Sequence, residues 1–254
     1  GGGGGGRIAL SALDLSGFTG SIQARGGGLL PALDRPESQG GAGTVHILRL
    51  PGALALLRID NGGRNSAAGP TPLDLPLAEL HLERLEVRGA ARASAAIPIR
   101  IDLGDLDDAT RFTLAGSLAA PRIDLPPVQT VEVSLGDLDA ADLRLPDPPP
   151  LLHLSDAGLV AHGPLHLSAL RLVRSSITVP EPSSTAVFPL VLDVDGTLEI
   201  DAASTLDLSG KGHVGGYRGG NTSNLGQTAG FVTSPGTSPR TGGAHGATGG
   251  HYGS

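Results

Sequence analysis

The chain predicts an all-β fold of the β-solenoid kind, short strands stacked in successive coils with Gly-rich excursions at both ends; the alternative is a β-sandwich of many short strands. Three observations in its 254 residues point there. Sixteen of the 20 prolines fall between Pro51 and Pro189, at intervals too short for long helices. Aromatic residues make up 2% of the chain and Cys, Met and Trp are absent, so the core must come from Leu, Ile, Val and Ala, which suits thin layers. An apolar octad also recurs, spaced apolar-x-apolar-x-x-apolar-x-apolar.

That octad is complete at Leu80, Leu82, Leu85 and Val87, at Leu165, Leu167, Leu170 and Leu172, and at Ile8, Leu10, Leu13 and Leu15. Partial copies are Ile101, Leu103 and Leu106, and Val133, Leu135 and Leu138. On a helix these offsets scatter around the axis. As two short strands joined by a two-residue step they all face one side, and the step is a bulge or a corner. Recurrent corners are what a solenoid needs, with coils of roughly 20 to 30 residues stacked at about 4.8 Å and about six coils before Gly210. "LGDLDDA" at 103–109 returns as "LGDLDAA" at 135–141, so the repeat is degenerate.

Glycine divides the chain into zones: 14 of the 40 lie in residues 1–44 and 15 in residues 210–254. The expected organisation is a Gly-rich entry segment at 1–44, degenerate solenoid coils at 45–210, and a Gly-rich excursion at 211–254. Residues 1–210 carry a net charge of −10 and the remainder +3, which lets the excursion lie back on an acidic body. Three dispersed cations are too few for nucleic acid, and no apolar run is long enough to span a bilayer. Six opening glycines and a Gly-rich close read as cuts through a longer polypeptide.

The phrases "GGGGRIAL", "DLSGFTGSIQARGG", "GGAGTVHILR" and "LRIDNGG", and later "DGTLEIDAASTLDLSGKGHVGGYRGGN" with "GGAHGATGGHYG", carry a resemblance. They resemble Gly-rich segments of very large secreted bacterial proteins with right-handed parallel β-helix architecture. The resemblance covers roughly residues 1–63 and 191–254. It implies an extracellular or cell-surface location and a structural or adhesive role. Open coil ends, whose strand edges are unpaired, lead to the expectation of a fibre, stalk or adhesin segment that stacks end to end on itself, with surface glycans as the other expected partner. It brings no catalytic residue and no cofactor.

The residues themselves offer few sites. Gly210, Gly212 and Gly215 match G-x-G-x-x-G, but the glycines that follow cannot sustain a helix and no acid lies beyond Asp207, so nucleotide binding is not expected. Lys211 is expected to face solvent. Asp105, Asp107 and Asp108 echo Asp137, Asp139 and Asp142; stacked, they suit Ca²⁺ or acid–base work on a polysaccharide, the alternative to plain turn residues. Asp193 and Asp195 match only part of a calcium loop. His153, His162 and His166 lack partners in a zinc pattern. Tyr217, Arg218, His245, His251 and Tyr252 are expected to anchor the excursion across closely packed glycine backbones. The sequence therefore predicts a non-catalytic structural module, with a polysaccharide-binding or polysaccharide-degrading β-helix as the alternative.

Overall fold

The computed structural model describes residues 4–12, 22–27, 40–49, 53–63, 69–73, 76–104, 110–228 and 230–233. Among them are eighteen strands and no helix. The Gly-rich entry carries β1 (Arg7–Ala12) and β2 (Thr44–Arg49), which pair in parallel. Its glycines lie backbone to backbone: Gly43 N–H donates to the Ala24 carbonyl at 2.6 Å. A Cβ on Gly43 would stand 2.0 Å from the Gly6 carbonyl oxygen, so no larger residue fits there.

From β3 (Ala53–Asp60) onward the chain repeats one plan, each segment giving strands to three ladders. The first segment continues with β4 (Thr71–Pro72) and β5 (Leu80–Leu82), and the second is β6 (Arg84–Ser94) and β7 (Ile99–Ile101). In the third, β8 (Arg111–Asp124) runs through all three ladders. The fourth is β9 (Thr130–Ser134) and β10 (Asp137–Arg144). The fifth is β11 (Leu151–Ser155), β12 (Gly158–Ala161) and β13 (Leu165–Leu167), and the sixth β14 (Ala169–Val173), β15 (Ser176–Thr178) and β16 (Leu192–Val194). A last partial segment holds β17 (Leu198–Ile200) and β18 (Thr205–Asp207). Because β6, β8 and β10 pass corners without breaking, the ladders join into one 16-stranded sheet, with β13 and β16 forming a separate pair. Every strand pairing is parallel except that of β2 with β3.

Alternation within each ladder sends every second residue inward, and parallel register stacks those residues into columns. One column in the first ladder runs Ile59, Val87, Leu114, Val133, Leu154, Leu172 and Ile200. The second ladder stacks Ala93, Leu118, Leu138, Leu159, Ile177 and Leu206, and the third Leu80, Ile99, Ile123 and Leu143. A continuous apolar core of buried residues extends from Ala42 to Ile177. Each fully buried Leu or Ile in it contributes about 1.5–3 kcal/mol of transfer free energy, which is how a core with one large buried aromatic, Phe112, suffices.

The octads mark corners, as their spacing suggests. Leu80 and Leu82 belong to β5 in the third ladder, and Leu85 and Val87 to β6 in the first, with Glu83 and Arg84 as the step between. Leu165 and Leu167 in β13 are followed in the same way by Leu170 and Leu172 in β14. Ile8 and Leu10 lie together in β1, while Leu13 and Leu15 fall outside the described residues. The partial copies differ. Leu103 and Leu135 point outward, Leu135 with 54% of its surface exposed and φ at 56°. Leu103 follows a third-ladder strand and Leu135 a first-ladder strand, so these two leucines occupy different corners, while Leu106 falls outside the described residues.

The corner between the first and second ladders has its own signature. Ala90, Leu135, Asp156 and Arg174 all adopt the left-handed conformation there, with φ between 48° and 56°. Successive corners bond to one another: Leu135 N–H donates to Ser155 O at 3.4 Å, and Asp156 N–H to Val173 O at 3.0 Å.

Candidate functional site

Outward positions on the ladders carry most of the charge, and register decides what each charge meets. Arg58 lies beside Glu86 in the ladder and donates from Nε at 2.5 Å, with Arg88 on the other Glu86 oxygen at 3.3 Å. Glu132 accepts from Arg111 at 3.2 Å and faces His153 at 3.9 Å; Arg171 reaches its register partner Glu199 at 3.4 Å. In the third ladder Arg122 bonds Glu79 and lies 3.4 Å from Asp124, while Arg144 lies 3.5 Å from Asp124. The histidines follow the same rule: His81 meets Asp102 at 2.6 Å, His162 meets Asp139 at 2.8 Å, and His166 meets Asp195 at 3.2 Å.

This network places the predicted carboxylates. Asp105, Asp107 and Asp108 lie outside the described residues. Asp137 and Asp139 share the outward face of β10, where Asp139 engages His162 and the Asp137 N–H donates to Ser117 Oγ at 3.1 Å. Asp142 sits farther along β10, opposite Arg122 in register, and accepts from Arg144 Nε at 3.0 Å. Asp137 stacks on Ser117 and Gly158, not on another acid. Among the described residues no group of three or more His, Asp or Glu side chains is placed to hold a metal ion. Asp193 and Asp195 alternate along β16 and its end, with Asp195 bonded to His166.

The excursion is anchored by residues the sequence reading passed over. Asn221 is buried; its Nδ2 donates to the carbonyls of Gly215 at 3.1 Å and Leu225 at 2.8 Å, and its Oδ1 accepts from Ser223 N–H at 3.0 Å. Gln227, also buried, donates from Nε2 to Ser184 O at 3.1 Å and Phe231 O at 3.2 Å, tying the excursion to the loop after β15. An Asn six residues after a glycine is the one signal that marked the first turn, since Asn bonds nearby backbone. Of the predicted anchors, Tyr217 is 65% exposed with φ at 57°, and Arg218 is exposed and closes a turn through its N–H to Gly215 O at 3.3 Å. His245, His251 and Tyr252 lie outside the described residues.

Lys211 corrects an expectation: its ammonium is held by Glu181 and its side chain is largely covered, where a solvent-facing lysine was expected. The glycine motif around it surrounds a depression of about 660 Å³ between Glu181, Pro182 and Arg218. A second depression of about 350 Å³ is more apolar, lined by Val187, Phe188, Leu190, Leu208 and His213. His213 is buried there, edge-on to Phe231 at 5.4 Å.

The last segment is the most distinctive surface. Leu198, Ile200 and Leu206 continue inner columns whose preceding members are almost fully buried, yet they are 52%, 40% and 40% exposed. Among the described strands, β16, β17 and β18 each have a partner on one edge only. The charged residues of this segment, Asp193, Asp195, Glu199, Asp201 and Asp207, are all acidic, and residues 191–208 contain no Lys or Arg. No family model, curated protein or solved structure matches the chain.

Proposed function

We propose that the chain is a non-catalytic structural module of a secreted or surface bacterial protein, a right-handed parallel β-helix segment that serves as fibre, stalk or adhesin. The observation that carries this is the unbroken inner column from Ile59 to Ile200, seven residues in parallel register. Seven stacked rows at the spacing of a parallel ladder extend about 30 Å, and stiffness comes from continuous hydrogen bonding along that axis. The parallel pairing also favours this reading over a β-sandwich, whose sheets are antiparallel. The described part of the Gly-rich entry extends the first ladder through β2 and β1, and the described part of the excursion is tied by Gln227 to the loop after β15. Extracellular placement rests on the resemblance of the glycine-rich phrases.

Outward acids bonded to Arg and His of neighbouring rows support a scaffold role, because Glu86, Glu132, Asp139, Asp195 and Glu199 each hold one row to the next. The deciding experiment is a glycan array with a reducing-sugar release assay on the purified chain. No release is expected. Release that disappears in Asp137→Asn or Asp139→Asn would replace this reading with the polysaccharide-degrading alternative, and selective retention without release would make the module a glycan-binding one.

A further inference from the structure

We propose that the Gly-rich entry is an end cap that closes the N-terminal end of the aliphatic stack, and that His46 on its inner face is an acid-sensitive latch whose protonation loosens it. The two ends of the stack differ in burial. Ile59 opens a first-ladder column fully buried, and Leu57, Leu73 and Leu80 beside it are buried too, whereas Ile200 closes the same column half-exposed. The entry lies over that first row: β2 pairs with β3, Thr71 Oγ1 donates to the Ala42 carbonyl at 2.5 Å, and Gly26 N–H donates to Asn61 Oδ1 at 3.3 Å.

Register decides which face of the entry looks inward. His46 pairs with Leu57 of β3 and with Ala9 of β1, and Thr44 pairs with Arg7, so Arg7, Ala9, Thr44 and His46 share the inward face. Arg7, Thr44 and His46 accordingly line a small hollow over Leu57, Leu73 and Leu80. Beyond the first row an aliphatic column thus becomes polar, the change that lets a terminal row face water.

Within that hollow His46 is the group that can change charge. Its imidazole titrates below the ordinary range, with burial as the first cause and Arg7 as the second. Among the described residues no carboxylate lines the hollow to offset a second cation. β3 sends Arg58 and Asp60 outward, to Glu86 and Arg25, β5 sends His81 outward to Asp102, and β4 carries no charge. A folded value below the unfolded one gives stability that is fully present above about pH 6.5 and is lost as pH falls through the folded value. An imidazolium there stands beside Arg7 over an aliphatic floor, and it regains water only when the entry strands part from the first row.

Hydrogen exchange of the whole chain, read by mass spectrometry and corrected for intrinsic rates, tests the latch. Between about pH 7.5 and about pH 5.5, on either side of the ordinary imidazole value, a several-fold rise is expected in β1 and β2 and none in β11 in the middle of the stack. His46→Gln, neutral at both values, is expected to lose the rise, and Arg7→Gln to shrink it, since burial remains. His81→Gln, which removes an exposed imidazole held by Asp102, is expected to keep it. His46→Leu, apolar over the same floor, is expected to behave as His46→Gln does, so that loss of the rise reports charge and not the shape of one side chain. A rise that survives both His46 variants, a rise shared equally by β11, or no rise in the unaltered chain overturns the proposal.

Discussion

Arg174 grips Asp156 through two hydrogen bonds, Nε to Oδ1 at 2.7 Å and a terminal guanidinium nitrogen to Oδ2 at 2.5 Å, and both residues stand in the left-handed conformation at successive corners. The Arg174 N–H in turn donates to Asp201 of the next segment, at 3.1 Å to Oδ2. One corner is thus clamped to the rows on both sides of it. Because the pair is well exposed, its ionic part adds little to stability; the corner conformation matters more.

Arg174→Val and Arg174→Gly remove the same clamp but differ in backbone. A β-branched residue at φ near 48° is strained, whereas glycine is not. Urea unfolding is expected to place Arg174→Val about 2 kcal/mol below Arg174→Gly. Equal midpoints would show that the corner relaxes without cost.

Asp201 and Asp156 titrate below the usual carboxylate range. For Asp201 the first cause is the Ser204 hydroxyl, which donates to Oδ1 at 2.5 Å, followed by backbone N–H groups of Arg174, Ala203 and Ser204. For Asp156 it is the hydrogen bond from Arg174. A folded-state pKa held below the unfolded value gives stability that is fully present above about pH 4 and is lost as pH falls through the folded value. Denaturant midpoints measured from about pH 5 downward should therefore fall more steeply for the unaltered chain than for Asp201→Asn. Parallel curves would show that this turn does not hold the charge.

Gly136 lies where the second ladder begins, and a Cβ there would stand 2.3 Å from the carbonyl carbon of Gly116 in the row before. Gly136→Ala is expected to cost more than about 2 kcal/mol, since backbone on both sides must move. Gly163→Ala meets nothing within 4 Å and is expected to change stability by less than about 0.5 kcal/mol. Thermal denaturation of the two variants side by side checks the contrast.

Leu154 and Leu206 test whether the columns weaken toward the open end. Leu154, fully buried between Val133 and Leu172, is expected to lose about 2–5 kcal/mol as Leu154→Ala. Leu206→Ala removes a side chain still partly in water, and the loss should stay under about 1 kcal/mol in the monomer. A loss at Leu206 as large as at Leu154, appearing only at high protein concentration, would itself report end-to-end stacking.

Much of the architecture was legible because it depends on short-range pattern. "LHLERLEV" and "LHLSALRL" revealed two-strand corners, since a two-residue step is the one way to keep four apolar residues inward in extended chain. The partial copies misled for a local reason: in "VSLGDL" Leu135 takes the left-handed corner itself, which turns its side chain out. In the excursion, buried Asn221 and Gln227 went unnoticed in the sequence because single amides carry no pattern, yet each satisfies several backbone groups at once.

Sequence alone determined that the chain is all-β, that its core is aliphatic, and that proline and glycine punctuate it into short strands, because these follow from each residue's own backbone and side-chain preferences. Only the tertiary structure decided which row each strand joins. From β3 onward register spacings vary from 18 residues, Leu152 to Leu170, to 29, Ile177 to Leu206, so no fixed period could be read in advance. The same choice of register settles which charge each outward Asp meets, and it leaves Leu198, Ile200 and Leu206 half-exposed at the end of their columns among the described strands.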